Sequence, residues 1–366
     1  MKMSTQFLHE LQKRFPQTVF WMDSMVVKNI EYGTEHSLPG VTTSPTVMSD
    51  SIVAEPELWA KKIWEKKAVY PEKNQNELLW EVMYDLSSER SKLVLPYYKK
   101  DSSIDGRYCI QGNVYDYMNT EKIVSQSKRI RACGENFVMK IPTTAAGLIA
   151  MEEIVYQGGS VMATATSTVS QVVAAGAALY RGLERRTNEG LSNEGIALAC
   201  AMQLGLPEMC YKGYAKEHGL NIPQEALDLS SVAVAKKAYR LLLEKYPLVT
   251  FVLSNFESEL HWLEFLGGRM MLTMPIEWLE KLDNWTEPVE ARIDEDVPEE
   301  YIEAMRQVPF YHYAYDEEAM QPEQFEKFEG FCRTVNTFMD VYEIGLNMVK
   351  KMILPDPYRG NKISTY

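Results

Sequence analysis

Short apolar runs alternate with segments of helical periodicity nearly eight times between residues 20 and 283. Runs of this kind, bounded by Gly, Pro and polar residues, are typical of strands that are buried on both faces of a parallel sheet. About eight strand–helix units in roughly 250 residues favour an α/β fold of the (β/α)8 TIM-barrel type over an open, doubly wound sheet. No Gly-x-Gly-x-x-Gly or P-loop motif follows any of these runs, which argues against a nucleotide-binding sheet.

Helical segments flank the predicted barrel core, which spans about 18–283. One covers residues 4–14, and a longer one covers about 322–352, where apolar and aromatic residues recur every three or four positions. That spacing predicts a helix with one face packed on the rest of the chain. An acidic, Pro-containing stretch at 286–300 precedes it. We therefore expect a single domain over 1–366, consisting of the barrel core and a C-terminal helical extension at about 284–366.

Charge and composition exclude several classes of function. A net charge of -13 argues against a nucleic-acid or anionic-membrane partner. No apolar run approaches the ~18–20 residues that span a membrane. The five cysteines are scattered and include no Cys-x-x-Cys, which predicts reduced thiols in a cytoplasmic protein. The five histidines are dispersed as well, so no metal site is expected.

Lys140 is the charged residue that stands out within the apolar runs. Residues 137–142, Phe-Val-Met-Lys-Ile-Pro, predict a buried strand that ends at Pro142, which has no N–H. A Lys ammonium at the end of such a strand is costly unless it is paired or gives up its proton. A Lys with a lowered pKa attacks carbonyls and forms Schiff bases. The position alone also fits a Lys that extends to the surface.

Polar residues lie at or near the C-terminal ends of six predicted strands, which span residues 18–23, 40–45, 107–113, 137–142, 160–166 and 249–256. In a (β/α)8 barrel the active site forms at these ends, so the fold would bring the six groups to one pocket. They are Asp23, Thr42 to Ser44, Gln111, Lys140, Thr164 and Asn255.

Several segments, in order, carry a resemblance to one family. Residues 40–45, Gly-Val-Thr-Thr-Ser-Pro, look like a Thr-Thr-Asn-Pro motif, and residues 140–144, Lys-Ile-Pro-Thr-Thr, look like a Schiff-base lysine motif. Residues 251–282 resemble the seventh and eighth strands of this family. Residues 316–320, with the Phe-rich segment that follows them, resemble the C-terminal segment of its full-length members. The sequence resembles the transaldolase family, which includes fructose-6-phosphate aldolase. The resemblance covers most of the chain but fails between about 172 and 229.

The resemblance implies four catalytic roles and no cofactor. Lys140 would attack a ketose carbonyl to form an iminium, and Asp23 would be the acid/base carboxylate. Thr164 lies where the family has a Thr that holds the catalytic water. Gln111 lies where transaldolases have a Glu and the related aldolase has a Gln.

The resemblance also marks substrate-binding positions that differ from the family. Thr43 is kept, whereas Ser44 and Met162 each replace an Asn. Asn255 and Glu257 stand where the family has a Ser and an Arg that hold the substrate phosphate, and a Glu would repel a phosphate. The family's second phosphate-binding Arg falls in the segment without resemblance, where the candidates are Arg181, Arg185 and Arg186.

Three functions follow as alternatives. The first is transaldolase-type transfer of a dihydroxyacetone-type three-carbon unit between a small-molecule ketose and an aldehyde. The second is free aldolase chemistry on a non-phosphorylated substrate, which Gln111 favours because an amide cannot act as an acid. The third is an inactive barrel that serves as a binding protein, which the replaced pocket residues favour. The sequence leaves the oligomeric state open, including a homo-oligomer.

Overall fold

Eight parallel strands form a closed barrel in the structure of the protein, a computed structural model that describes residues 7–354. Each strand pairs with the next along the chain, and the last pairs with the first. This confirms the prediction of a (β/α)8 barrel with additional helices. The strands are β1 Thr18–Asp23, β2 Val41–Thr42, β3 Tyr108–Gln111, β4 Phe137–Pro142, β5 Val161–Thr166, β6 Leu198–Gln203, β7 Thr250–Ser254 and β8 Met270–Met274.

Helices connect the strands and extend the barrel at both ends. They are α1 Phe7–Arg14, α2 Val27–Glu35, α3 Pro45–Ala54, α4 Pro56–Val69, α5 Gln75–Val94, α6 Thr120–Arg131, α7 Ala145–Tyr156, α8 Val169–Asn188, α9 Gly205–Glu217, α10 Gln224–Asp228, α11 Ser230–Lys245, α12 Leu260–Leu263, α13 Ile276–Asp283, α14 Glu299–Met305, α15 Tyr311–Tyr315 and α16 Glu329–Ile353. The first residues of the predicted 4–14 helix and the end of the C-terminal extension, 355–366, lie outside the described residues.

Alternate residues of the strands fill the inside of the barrel, separately from the core between strands and helices. This inner set is Trp21, Cys109, Val138, Met162, Ala197, Ala199, Ala201, Val252 and Met271. Successive side chains of a strand point to opposite faces. Residues two positions beyond a member of this set therefore also face the interior, at the end of the barrel where the strands finish. We call this end the mouth.

Helix α16 lies across elements that surround the mouth. It packs on α3 and α9, and its Gly345 faces α3 so closely that a Cβ there would lie 2.7 Å from Ser49 Oγ. Ser49 Oγ also donates a hydrogen bond to the carbonyl of Val341 on α16 (2.8 Å). These contacts hold the C-terminal helix against the barrel.

Three element predictions required correction. The predicted 322–352 helix is interrupted at Phe328, whose extended backbone (ψ 133°) separates a 3-10 turn, Pro322–Lys327, from α16. The predicted strand 40–45 is only Val41–Thr42, because Pro45 already begins α3. Residues 257–266, whose pattern predicts a helix closed by Gly267 and Gly268, form only the short helix α12, since the chain turns there and Gly267 adopts φ +90°.

Candidate active site

Lys140 lies inside the barrel near the mouth and is only 5% exposed. It follows Val138 by two positions on β4, and its Nζ donates a hydrogen bond to the backbone carbonyl of Thr43 (3.0 Å). Burial lowers the pKa of Lys140, while the nearby Asp23 carboxylate raises it and only partly offsets the effect. The structure therefore favours a Lys that gives up its proton more readily than an exposed one.

Asp23 ends β1 and is held by a short chain of hydroxyl groups. Thr42 Oγ1 donates to Asp23 Oδ1 (2.6 Å) and lies 2.5 Å from Thr273 Oγ1. Because Thr42 has a single hydroxyl proton, which it gives to the carboxylate, Thr273 is the donor in the second bond. Burial raises the pKa of Asp23, and Lys140 and Thr42 lower it. A carboxyl and an amine with pKa values shifted toward each other are suited to proton exchange.

Gln111 carries a carboxamide without hydrogen-bond partners among the described residues. Its side chain is 3% exposed, and both Nε2 and Oε1 are unpaired. Its Cα pairs with that of Lys140 across β3 and β4. A buried amide of this kind is costly unless a ligand or water satisfies it. A hydroxyl, which both donates and accepts, would satisfy both atoms.

Two side chains of β5, those of Met162 and Thr164, face the barrel interior at different distances from the mouth. Met162 belongs to the inner set, and its Cα pairs with that of Lys140. Thr164 lies two residues closer to the mouth and is 1% exposed. Its carbonyl accepts the backbone N–H of Thr143 (2.9 Å), while its hydroxyl has no hydrogen bond with any residue of the described 7–354 range. This hydroxyl is free to hold a water.

The two residues after β2 have different roles. Thr43 supplies the carbonyl that accepts the Lys140 ammonium proton. Ser44 is the N-cap of α3, and its Oγ accepts the backbone N–H of Val47 (3.2 Å). Its hydroxyl proton is left to donate to a ligand. Thr43 therefore lies beside Lys140, and Ser44 follows it at the start of α3.

Asn255 follows β7 and is bonded to the start of α9. Its backbone is left-handed (φ +61°), its Oδ1 accepts the N–H of Leu206 (2.6 Å), and its carbonyl accepts the N–H of Gly205 (2.9 Å). A Cβ at Gly205 would lie 2.2 Å from Glu257 Cγ, so only Gly fits this crossing. The Asn255 oxygen thus caps a helix, which leaves its amide N–H groups as donors.

Glu257 is exposed, and its backbone is fixed by a buried network. Its N–H donates to His261 Nδ1 (3.2 Å), so the ring proton of His261 lies on Nε2 and is donated to Glu208 (2.7 Å). Glu208 also pairs with Lys212 (2.7 Å). The loop after β7 therefore offers a carboxylate and a backbone N–H that is already used, neither of which suits a phosphate.

The three candidate phosphate-binding arginines lie away from the mouth. They occupy the C-terminal part of α8, which runs back from the end of β5 toward the other end of the barrel. Arg181 and Arg185 pair with Glu152 of α7 (2.6 and 3.2 Å). Arg186 donates to the carbonyl of Tyr156 (2.8 Å). None of the three candidates therefore lies where it could hold a phosphate at the mouth.

Sequence reasoning missed two interior residues at the mouth, Gln203 and Thr273. Gln203 is the last residue of β6, and its Oε1 accepts the hydroxyl of Thr334 on α16 (2.6 Å). It directly follows residues 196–202, whose apolar spacing fits a buried strand and a buried helix equally well. Thr273 is the one polar residue of the β8 sequence Met-Met-Leu-Thr-Met, which is the signal that could have identified it.

Among the described residues, 7–354, no helix combines the length and the apolar character of a membrane span. In the same range no group of three or more His, Cys, Asp and Glu side chains could hold a metal ion.

Comparison with known proteins places this geometry in a family. A model of the transaldolase/fructose-6-phosphate aldolase family matches residues 20–334, including the segment 172–229. The chain is 29% identical over 203 residues to transaldolase 2 of Nostoc punctiforme, covering 53% of this chain and 52% of that protein. It is 23% identical over 222 residues to a transaldolase of Trichodesmium erythraeum, covering 59% and 58%. These alignments span less than two thirds of each relative. With a family match over most of its length, the chain belongs to the transaldolase/fructose-6-phosphate aldolase family.

Proposed function

We propose that this protein is a Schiff-base-forming, transaldolase-like enzyme that removes a dihydroxyacetone-type three-carbon unit from a ketose. The observation that carries the proposal is the pair of Lys140 and Asp23 inside the barrel mouth. Burial lowers the pKa of Lys140 and raises that of Asp23. A buried Lys at this position has no structural need of its charge, and burial makes it a nucleophile at a pH where an exposed Lys is protonated.

The residues fit each step of this chemistry. The neutral Lys140 amine attacks the ketone carbon, and loss of water gives an iminium. Asp23 takes the proton of the hydroxyl group on the far side of the scissile C–C bond. The bond then breaks, its electrons pass to the iminium to form an enamine, and an aldehyde leaves. Thr42 steadies the carboxylate through its 2.6 Å hydrogen bond.

The fate of the enamine separates a transferase from a free aldolase. In transfer, the enamine adds to an acceptor aldehyde; in free aldolase chemistry, it is protonated and water releases it from Lys140. The unpaired amide of Gln111 beside Lys140 favours the second outcome, because an amide can hold a water but cannot supply a proton as a Glu does. The family membership fits both. We rank transfer first because the relatives that the chain matches over more than half its length are named transaldolases.

The natural donor in this proposal is a non-phosphorylated ketose. Glu257 stands in the loop after β7 at the position where the family has an Arg. Its exposed carboxylate repels a phosphate.

The C-terminal helices α14 to α16 belong to the same catalytic domain as the barrel in this proposal. The reason is that Thr334 of α16 donates a hydrogen bond to Gln203, the interior residue that ends β6.

Borohydride trapping tests the proposal. The enzyme is incubated with dihydroxyacetone and reduced, and the adduct is located by intact mass and peptide mapping. We expect one adduct on Lys140 and none in Lys140→Met. The absence of an adduct with dihydroxyacetone and with simple ketoses would contradict the proposal and favour an inactive barrel. Product analysis with and without an acceptor aldehyde then separates transfer from cleavage.

A further inference from the structure

Gln203 has an amide group that the reaction so far does not use. It ends β6 two positions beyond Ala201 of the inner set, so it faces the interior, and it is 5% exposed. Its Oε1 is taken by Thr334 (2.6 Å), while its Nε2 has no hydrogen bond with any residue in 7–354. Nε2 is not among the buried unpaired polar atoms of the described residues, whereas both amide atoms of Gln111 are. The N–H groups of Gln203 are therefore accessible and can donate to an oxygen atom of a ligand.

The opposite side of the mouth is closed. Tyr342 of α16 accepts a hydrogen bond from Trp80 Nε1 (3.0 Å) and also bonds to Asn76. Tyr342 and Trp80 border, with Gln111, a cavity of about 10 Å³. A space of this size holds about one water molecule or hydroxyl group. A substrate attached to Lys140 thus has room for one small polar group on this side.

The longer part of a substrate must therefore extend away from Gln111. Lys140 on β4 and Thr164 on β5 lie between Gln111 on β3 and Gln203 on β6, so Gln203 stands on the other side of Lys140 from Gln111. We propose that the amide of Gln203 binds a hydroxyl or carbonyl oxygen of the substrate beyond the three-carbon unit. Gln203 then selects ketoses and acceptor aldehydes that are polyhydroxylated and longer than three carbons.

The C-terminal helix α16 contacts this site on two sides, next to Gln203 and next to Gln111. Thr334 fixes the orientation of Gln203, and Tyr342 closes the Gln111 side. The two residues are eight positions apart on α16, which corresponds to about 12 Å along a helix. Because Thr334 occupies the acceptor atom of Gln203, only the N–H donors face the ligand. Such donors suit the oxygen of a hydroxyl or carbonyl group.

This inference rests on the proposed function, and its test compares substrates of two lengths. Dihydroxyacetone has three carbons and does not reach Gln203, whereas D-fructose has six. In Gln203→Leu we expect kcat/KM for cleavage of D-fructose to fall about 10-fold or more, mainly through KM, since one hydrogen bond to the substrate is lost. The rate of borohydride trapping of Lys140 with dihydroxyacetone should be unchanged.

A second pair of variants keeps the test independent of Gln203 folding effects. Thr334→Val removes the hydroxyl that orients Gln203 and should lower kcat/KM for D-fructose by a smaller factor. Thr337→Val is the matched control, because Thr337 lies on the same helix and bonds only to the carbonyl of Arg333 (2.8 Å). We expect Thr337→Val to behave as the unmodified enzyme.

The outcomes separate the two proposals. Equal losses for dihydroxyacetone and D-fructose, or no loss for either in Gln203→Leu, would overturn the role of Gln203 while an adduct on Lys140 still supported the enzyme. No adduct on Lys140 with any ketose in the unmodified enzyme would overturn the proposed function, and the role of Gln203 with it.

Discussion

Thr42 donates a 2.6 Å hydrogen bond to Asp23, and this is the only hydrogen bond to the carboxylate from residues 7–354. Thr42 in turn accepts from Thr273, so two hydroxyls from β2 and β8 stabilise the charged form of a buried acid. These hydrogen bonds favour the ionised Asp23 that the proposed C–C cleavage would use.

Thr42→Val should therefore slow cleavage. Loss of the hydroxyl raises the pKa of Asp23 further and leaves less carboxylate at neutral pH. We expect kcat for ketose cleavage to fall about 10-fold, as for loss of one hydrogen bond to a charged group. Trapping of Lys140 with dihydroxyacetone, which involves no C–C cleavage, serves as the internal control. An unchanged kcat would show that Asp23 does not depend on Thr42.

Asp23→Asn should change the pH dependence of Schiff-base formation. The Asp23 charge raises the pKa of Lys140, so its removal lowers that pKa further below the usual 10.5 of a Lys. Lys140 is then neutral at lower pH, and the rise of the trapping rate with pH should move to lower pH. The rate of borohydride trapping is measured across a pH series for both proteins. A shift toward higher pH would contradict an interaction between the two charges.

Glu257→Arg should improve the use of phosphorylated ketoses. An Arg in the loop after β7 replaces a repelling carboxylate with a cation that binds phosphate. We expect the ratio of kcat/KM for a phosphorylated over a plain ketose to rise about 10-fold or more. Glu257→Gln, which only removes the charge, should give an intermediate ratio. A strong preference of the unmodified enzyme for the phosphorylated ketose would rule out the proposed donor class.

Gly345→Ala should destabilise the attachment of α16. The new Cβ would lie 2.7 Å from Ser49 Oγ and 2.8 Å from Met48 Cε, so α16 or α3 must shift. We expect the free energy of unfolding in urea to fall by about 1–3 kcal/mol. Gly213→Ala on α9 is the matched control: nothing lies within 4 Å of its Cβ, and it should be neutral or stabilising by up to about 1 kcal/mol. Equal effects of the two changes would show that the Gly345 contact is not tight.

The sequence predicted the barrel and the placement of Lys140 and Asp23 because strand ends have strong local signals. The strand Thr18–Asp23 was predicted with its observed bounds. Its apolar run ends on a carboxylate, and a (β/α)8 fold brings all such ends together. The roles of these residues, and of Gln111, Thr164, Thr43, Ser44, Met162 and Asn255, remain proposals.

The parts that could not be predicted depend on contacts between distant segments. The Gln203 side chain is oriented by a hydrogen bond from Thr334, which lies 131 residues further along the chain. Asn255 caps α9, which no local pattern around either segment indicates. The break at Phe328 likewise interrupts an apolar spacing that continues on both sides of it, so periodicity alone predicted one helix. Tertiary contacts decide these features, and local spacing does not contain them.

The contacts of α16 have a consequence for the order in which the protein matures during synthesis. Trp80 and Tyr342 are 262 residues apart, and every strand of the barrel leaves the ribosome before Thr334 and Tyr342 do. Chains emerge at about 5–20 residues per second and tend to fold from the N-terminus. A nascent chain can thus assemble all eight strands and bury Lys140 some seconds before the wall beside Gln111 exists. Sugar selectivity would then be acquired after the reactive amine, in the last stage of folding.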